Sequence, residues 1–298
     1  MTRLLSPRDP DYPALLGAIS SPPDLWVRGT VVAGDALAIA IVGSRRATAY
    51  GLEMAARLGS DLAARGVTIV SGLARGIDGA AHRGALAAGG RTIAVLGSGI
   101  DVVYPPEHRD LARETEARGA LVSQFAPGAP PLPGHFPARN RVIAGLALGV
   151  VIVEAGERSG ALITASFAGD LGREVFAVPG RVTSETSRGA NGLIRDGAKL
   201  VQDWTDVVQE LPEAWRRAVR GAPTERGDAN RPAAESDEGR VLAMLPADES
   251  LHIEQVIARG GLPPGRVAAV LAALELGGWA RQLEGQRWVS VAARTRRA

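Results

Sequence analysis

Short apolar runs alternate with helix-length amphipathic stretches through the first two thirds of this chain. Ala36 to Val42, Val67 to Val70, Thr92 to Leu96, Leu121 to Gln124, Val150 to Val153 and Glu174 to Val178 read as strands, with Lys199 to Val201 as a shorter seventh. Most stop at or close to glycine, serine or proline, which punctuate strands. Several are unbroken runs of β-branched residues, the pattern of strands covered on both faces. Strand and helix in alternation predict an α/β domain with a mostly parallel sheet over residues 36–210, preceded by a lead-in, residues 1–35.

After Leu211 the pattern fades. Residues 211–236 carry Pro212, Pro223, Gly227 and Pro232 with little apolar content and read as a linker, with a short helix possible over Glu213 to Arg220 but no evident core partner for it. Helical spacing returns at Gly239 to Leu245, Leu251 to Arg259 and Arg266 to Leu276. Trp279 to Leu283 and Gln286 to Ser290 then flank Glu284-Gly285 as two short strands joined by a tight turn. Three helices closed by a hairpin predict a small C-terminal winged-helix domain over residues 237–298.

Composition narrows the chemistry. With 46% hydrophobic and 22% charged residues, the chain can bury a substantial core. It has no cysteine, which excludes disulfides, iron-sulfur clusters, cysteine zinc fingers and thiol nucleophiles. The absence of a long uncharged apolar segment and the charged opening Met1 to Pro10 lead us to expect cytoplasmic residence without membrane insertion.

Charge needs a finer reading. The formal net charge is +2 although the sequence pI is near 9.5, because the cations are arginines with Lys199 as the one lysine. Residues 36–210 hold 18 cationic and 17 anionic side chains, and residues 237–298 hold 8 and 7. A polyanion must therefore be gripped by a local arrangement and not by a field over a whole domain.

In an open parallel sheet, ligands collect outside the carboxyl ends of the strands. The turns Gly43-Ser44-Arg45-Arg46, Ser71-Gly72 to Arg75, and Gly97-Ser98-Gly99 follow the first three strands there. Glycine permits close backbone approach, hydroxyl and arginine bind anions, and together they read as a phosphate cradle in three parts. No Walker A sequence and no Gly-x-Gly-x-x-Gly follows the first strand, which disfavours triphosphate and nicotinamide chemistry. Pro133 to Arg141, read as a loop before a helix at Val142 to Leu148, adds Phe136 as a stacking face, worth about 1–3 kcal/mol per base, beside Arg139, Asn140 and Arg141. Ser159-Gly160 caps the helix after the fifth strand. Glu154, at that strand's end, could act as a general base, and His82 and His135 could move protons, but structural roles suit Glu154 and His82 better. No metal-ligand spacing accompanies them, and neither cofactor nor metal is expected.

Taken together, Ile41 to Arg45, Ser71 to His82, Leu96 to Pro105, Phe136 to Arg141 and Ser159 to Ala165 resemble the DNA-processing protein A family, also called DprA or Smf. The resemblance implies an extended Rossmann-like, doubly wound domain that forms a homodimer, binds single-stranded DNA without base specificity and loads the recombinase RecA during natural transformation, with no catalysis. It implies Arg45 on phosphate and Phe136 as the stacking ring. Gly43, Ser44, Ser71, Gly72 and Arg75 match its phosphate-facing turns, and Arg139 and Arg141 the arginines of its fourth motif. Arg46, Gly97, Asn140, Ser159 and Gly160 complete the candidate DNA-binding set. Two departures stand out: residues 1–35 are too short for the N-terminal helical module of many members, and Leu132-Pro133-Gly134 is uncharged where some members place a lysine. Arg266 to Leu276 offers one arginine among Ala, Val and Leu, which equips it poorly to read a major groove, and suits protein contacts or weak duplex binding through Arg281, Arg287, Arg294, Arg296 and Arg297. The rival class is a nucleotide-processing hydrolase on a related fold, with Glu154 as its base.

Overall fold

The computed structural model describes residues 2–221, 232–246, 250–276, 279–283 and 285–290. They fall into two compact units, Met1–Ala222 and Pro223–Ala298.

The first unit is built on a nine-stranded sheet. In chain order its elements are β1 (Thr2–Leu5), α1 (Ala14–Gly17), β2 (Leu25–Gly29), β3 (Ala38–Val42), α2 (Ala49–Ala64), β4 (Thr68–Ser71), α3 (Ile77–Ala87), β5 (Thr92–Val95), α4 (Arg109–Arg118) and β6 (Ala120–Ser123). They continue with α5 (His135–Gly145), β7 (Gly149–Ile152), α6 (Gly160–Asp170), β8 (Glu174–Ala177), α7 (Arg188–Arg195), β9 (Lys199–Leu200), α8 (Trp204–Gln209) and α9 (Glu213–Ala218). The strand order is β1-β2-β6-β5-β4-β3-β7-β8-β9. All pairs from β6 to β9 are parallel, and β1 and β2 add an antiparallel edge.

Strand periodicity builds both cores. Ala38, Ala40 and Val42 of β3 face one apolar cluster with Val142 and Ile143 of α5 and Ala161 and Ala165 of α6. Ile39 and Ile41, pointing the other way, join Leu58 and Leu62 of α2 and Ile77 and Ala81 of α3. Helices thus cover both faces, and the expected mostly parallel doubly wound sheet is present. The chain runs outward from β3 to β4, β5 and β6, then returns to start β7 on the other side of β3. The topological switch point, where the loops of neighbouring strands diverge, lies between β3 and β7.

Three features differ from the sequence reading. The lead-in supplies β1 and β2, with Trp26 paired to Ser123 and Val27 to Val122 in the sheet. The segment read as a loop before Val142 is helical from His135, and Pro137 sits in its first turn, where a missing N–H breaks no helical hydrogen bond. Helix α9 has a core partner after all: Trp215 packs on the α2–α3 cluster, Val219 is buried, and the Arg220 guanidinium donates to the Ala64 carbonyl at 2.9 Å.

The second unit contains α10 (Asp237–Met244), β10 (Leu251–His252), α11 (Ile253–Gly260), α12 (Pro264–Leu276), β11 (Ala280–Leu283) and β12 (Arg287–Ser290). Val241, Val256, Val267, Leu271, Leu274 and Trp288 form its core. Its antiparallel sheet, ordered β10-β12-β11, includes one strand more than the expected hairpin, and the region is a winged helix. Residues 222–231 of the interval read as a linker, turn residue Glu284 and the arginines 294, 296 and 297 lie outside the described residues.

Candidate nucleic-acid interface

A cleft of about 610 Å³ opens at the β3–β7 switch point. The turn after β3 forms one wall. Ser44 donates its N–H to the Glu154 carbonyl (2.7 Å) and accepts from Ile77 N–H (3.2 Å), so this turn is stitched to the end of β7 and the start of α3. Arg45 and Arg46 are left projecting into solvent. The turn after β7 forms the opposite wall with Gly156, Arg158, Ser159 and Gly160. Ser159 caps α6, its hydroxyl accepting from Ala161 N–H at 3.3 Å, and that helix N-terminus faces the cleft with the positive end of its dipole.

The first turn of α5 closes the mouth. Phe136, Pro137 and Asn140 line it, and Asn140 donates to the Gly160 carbonyl at 3.2 Å, tying α5 to the α6 turn. The Arg45 guanidinium lies 4.9 Å from the Phe136 ring centroid, a cation–π contact at the rim. Arg45, Arg46 and Arg158 take part in none of the ion pairs among the described residues.

Nine of the residues picked from the sequence line this cleft: Gly43, Ser44, Arg45, Arg46, Phe136, Arg139, Asn140, Ser159 and Gly160. Arg139 differs from the others because it is buried, at 4% exposure. It donates to the carbonyls of Gly72 and, at 2.6 Å, of Val95, spanning the ends of β4 and β5. Burial lowers its pKa to about 10 against the pull of Asp78, which leaves it a cation at neutral pH. Asp78 is also buried. It accepts from the N–H groups of Gly72 (3.1 Å) and Ala74 (3.4 Å), and desolvation pushes its carboxyl up while Arg139 and the two amides oppose that rise.

The other five sit outside the cleft. The Ser71 hydroxyl is spent on the Ile41 carbonyl at 2.6 Å. Gly72 has Arg139 and Asp78 where a Cβ would stand, so it admits those side chains and does not face a ligand. Gly97 likewise leaves room for the Phe136 ring, which would lie 2.8 Å from an added Cβ. Arg75 pairs with Glu107, and Arg141 donates to the carbonyls of Ser20 and Ser21 in the lead-in. The three-part cradle is therefore corrected. The turns after β3 and β7 meet at the switch point, whereas the turn after β5, two strands away, is buried beneath α5.

Sequence reasoning missed Arg158 and Asp78. The signal for Arg158 was its place just before a helix cap. The proposed general base is committed elsewhere: Glu154 accepts from the Thr48 N–H (2.9 Å) and hydroxyl (2.6 Å), helping to order the start of α2. His82 is buried with Nδ1 2.7 Å from the Thr92 hydroxyl, and burial lowers its pKa to about 3. His135 stacks on Phe125 at 3.9 Å. Among the described residues no acidic or histidine cluster could hold a metal ion, and no helix is long and apolar enough to cross a membrane.

Comparison with known proteins bears on this edge. The family model described as DNA recombination-mediator protein A matches residues 3–212, and the DprA winged helix domain matches residues 225–286. The chain belongs to the DNA processing protein A family. It is 40% identical over 291 residues to Protein Smf of Escherichia coli, covering 94% of this chain and 76% of that one. Its fold is similar to DNA processing protein A of Streptococcus pneumoniae, with TM-score 0.67, 42% identity and coverage of 70% of this chain and 74% of that one. It is similar also to the Helicobacter pylori protein of the same family, whose structure concerns its single-stranded DNA binding mode, with TM-score 0.62, 27% identity and coverage of 71% and 97%.

Proposed function

We propose that the β3–β7 cleft binds single-stranded DNA through its sugar–phosphate backbone, and that the protein is a recombination mediator without catalytic activity. The observation that carries this reading is the Arg45 guanidinium seated over the Phe136 ring at the mouth of the cleft. A base of any identity takes the ring face that the guanidinium covers, and the displaced cation meets the adjoining phosphate. Arg46, Arg158 and the α6 N-terminus supply further anion sites without reading base edges, so binding is indifferent to sequence. The single-stranded DNA binding of the Helicobacter pylori relative supports the same assignment. The family's description as recombination mediators supports a role in handing the bound strand to a recombinase, and we extend the proposal to RecA as that recombinase and to a cytoplasmic homodimer as the working unit.

The hydrolase reading loses its base, because both Glu154 oxygens are occupied by Thr48. A salt-titrated gel shift comparing single strand with duplex tests the proposal. Single-strand affinity should fall by about 0.7 logarithmic units per phosphate contacted for each tenfold rise in salt, and should not depend on sequence. Equal affinity for duplex, or release of free base from a nucleotide, would overturn it.

A further inference from the structure

The chain has four phenylalanines and three tyrosines. Three of these seven rings, Tyr104, Phe125 and Phe136, gather with His135 beyond the carboxyl ends of β5 and β6. Phe125 stacks on His135 and Phe136 lines the cleft, so both have a place in the packing. Tyr104 has no such place. It is 39% exposed, belongs to none of the hydrophobic clusters of the described residues and does not line the cleft. Its ring centroid lies 6.0 Å from that of Phe136, with the planes inclined at 49°. Its hydroxyl meets Arg75, an exposed guanidinium paired with Glu107.

From this placement we infer that Tyr104 is a second base-stacking platform, which receives the nucleotide next to the one seated on Phe136 and leads the strand out of the cleft toward Arg75. The inference rests on the reading of the cleft as a single-stranded DNA site. Bases stacked on one another rise about 3.4 Å per nucleotide, and a base sandwiched between two rings needs about twice that with parallel planes. At 6.0 Å and 49° the rings fit neither arrangement. Each receives its own base, Phe136 on the face that the Arg45 guanidinium covers until a strand displaces it and Tyr104 on its exposed side, and the strand turns between them. An amphipathic ring at a rim suits this duty, with an apolar body for the base and a polar tip in water. The phosphate joining the two nucleotides then arrives beside Arg75 and exchanges with Glu107 as its partner, one charge-assisted contact replacing another.

The test uses the full-length protein with oligothymidylate of twelve nucleotides. Binding is followed by fluorescence anisotropy, and photo-crosslinking of 5-iododeoxyuridine strands is mapped by mass spectrometry. Crosslinks should fall on the peptides holding Tyr104 and Phe136. Tyr104→Leu should weaken binding about tenfold and Tyr104→Phe less than twofold, because the ring and not the hydroxyl does the stacking. The inference is overturned, with the cleft reading intact, if Phe136→Leu weakens binding while Tyr104→Leu does not, or if Phe136 crosslinks and Tyr104 does not. A Tyr104→Phe defect as large as that of Tyr104→Leu would assign the effect to the Arg75 contact and likewise overturn it. If Phe136→Leu is itself without effect, the cleft reading fails first.

Discussion

The cleft and helix α12 hold arginines in opposite states. At the cleft, Arg45, Arg46 and Arg158 reach solvent beside a helix N-terminus with no carboxylate paired to them among the described residues. On α12 the one arginine, Arg266, donates to Asp237 at 2.8 Å, and Asp237 also accepts from Arg240. The remaining exposed positions of α12 include Ala268, Ala269, Ala272, Ala273 and Glu275. Residues 36–210 and 237–298, which carry the cleft and α12, are both nearly neutral in sum, so domain net charge does not distinguish them. What distinguishes them is whether the cations already have partners. An unpaired guanidinium is available to a phosphate, whereas a paired one must first give up its carboxylate.

Acid should separate the two units most strongly. Burial holds the folded His82 near pKa about 3, while the unfolded chain takes up that proton near the ordinary value of about 6.5. The contribution of neutral His82 is therefore complete above about pH 6.5 and is lost as pH falls toward 3, a change of a few kcal/mol. Thermal unfolding of the first unit should shift downward between pH 7 and pH 4, and His82→Gln should flatten that profile. Arg266 and Arg240 hold the Asp237 carboxyl below its usual range, so the second unit should keep that contribution until pH falls below about 4. A flat profile for the first unit would contradict the buried-histidine account.

Within the cleft, Arg139 and Arg45 should fail in different ways. Arg139→Leu strands the Asp78 carboxylate and frees two carbonyls, so unfolding should become easier by about 3 kcal/mol in denaturant titration. At temperatures where that variant stays folded, its salt slope for single-stranded DNA should match the parent's. Arg45→Ala should leave stability within about 0.5 kcal/mol. It should weaken binding by about 2 kcal/mol, roughly thirtyfold, and reduce the salt slope by one phosphate. A reduced slope for Arg139→Leu would make it a phosphate ligand after all. The smallest effect belongs to the second unit: Asp237→Asn releases Arg266 and Arg240 with little change in stability, because the pairs are exposed. It should raise duplex affinity of the full-length protein slightly, by gel shift at low salt.

Much of this arrangement is legible in the residues themselves. Unbroken apolar runs marked the parallel strands, and glycine with arginine marked the turn after β3. Two things were hidden for physical reasons. Strands β1 and β2 lie among prolines: β1, at the sheet edge, buries only Leu5, and the alternation of Leu25 and Val27 in β2 spans too few residues after Pro22-Pro23 to stand out. The start of α5 was masked by Pro133, Gly134 and Pro137, which read as loop although a first helical turn tolerates proline. The burial of Arg139 had a signal that went unused. Val142 and Ile143 stand three and four residues on, and those spacings share one helix face. Pairing, by contrast, depends on contacts between distant segments, such as Arg141 with Ser20 and Arg75 with Glu107, and no local pattern reveals it.

Gly97 has a further meaning for affinity. The Phe136 ring rests on its bare backbone, with Arg45 on the ring and Tyr104 beside it, so the ring's orientation is settled before any strand arrives. Immobilising a free side chain on association costs about 0.5–1.5 kcal/mol, and here folding has already met that entropy. Gly97→Ala would push the ring from its seat without touching a phosphate contact. The missing methyl group thus acts as an affinity control set two strands away from the crevice it serves.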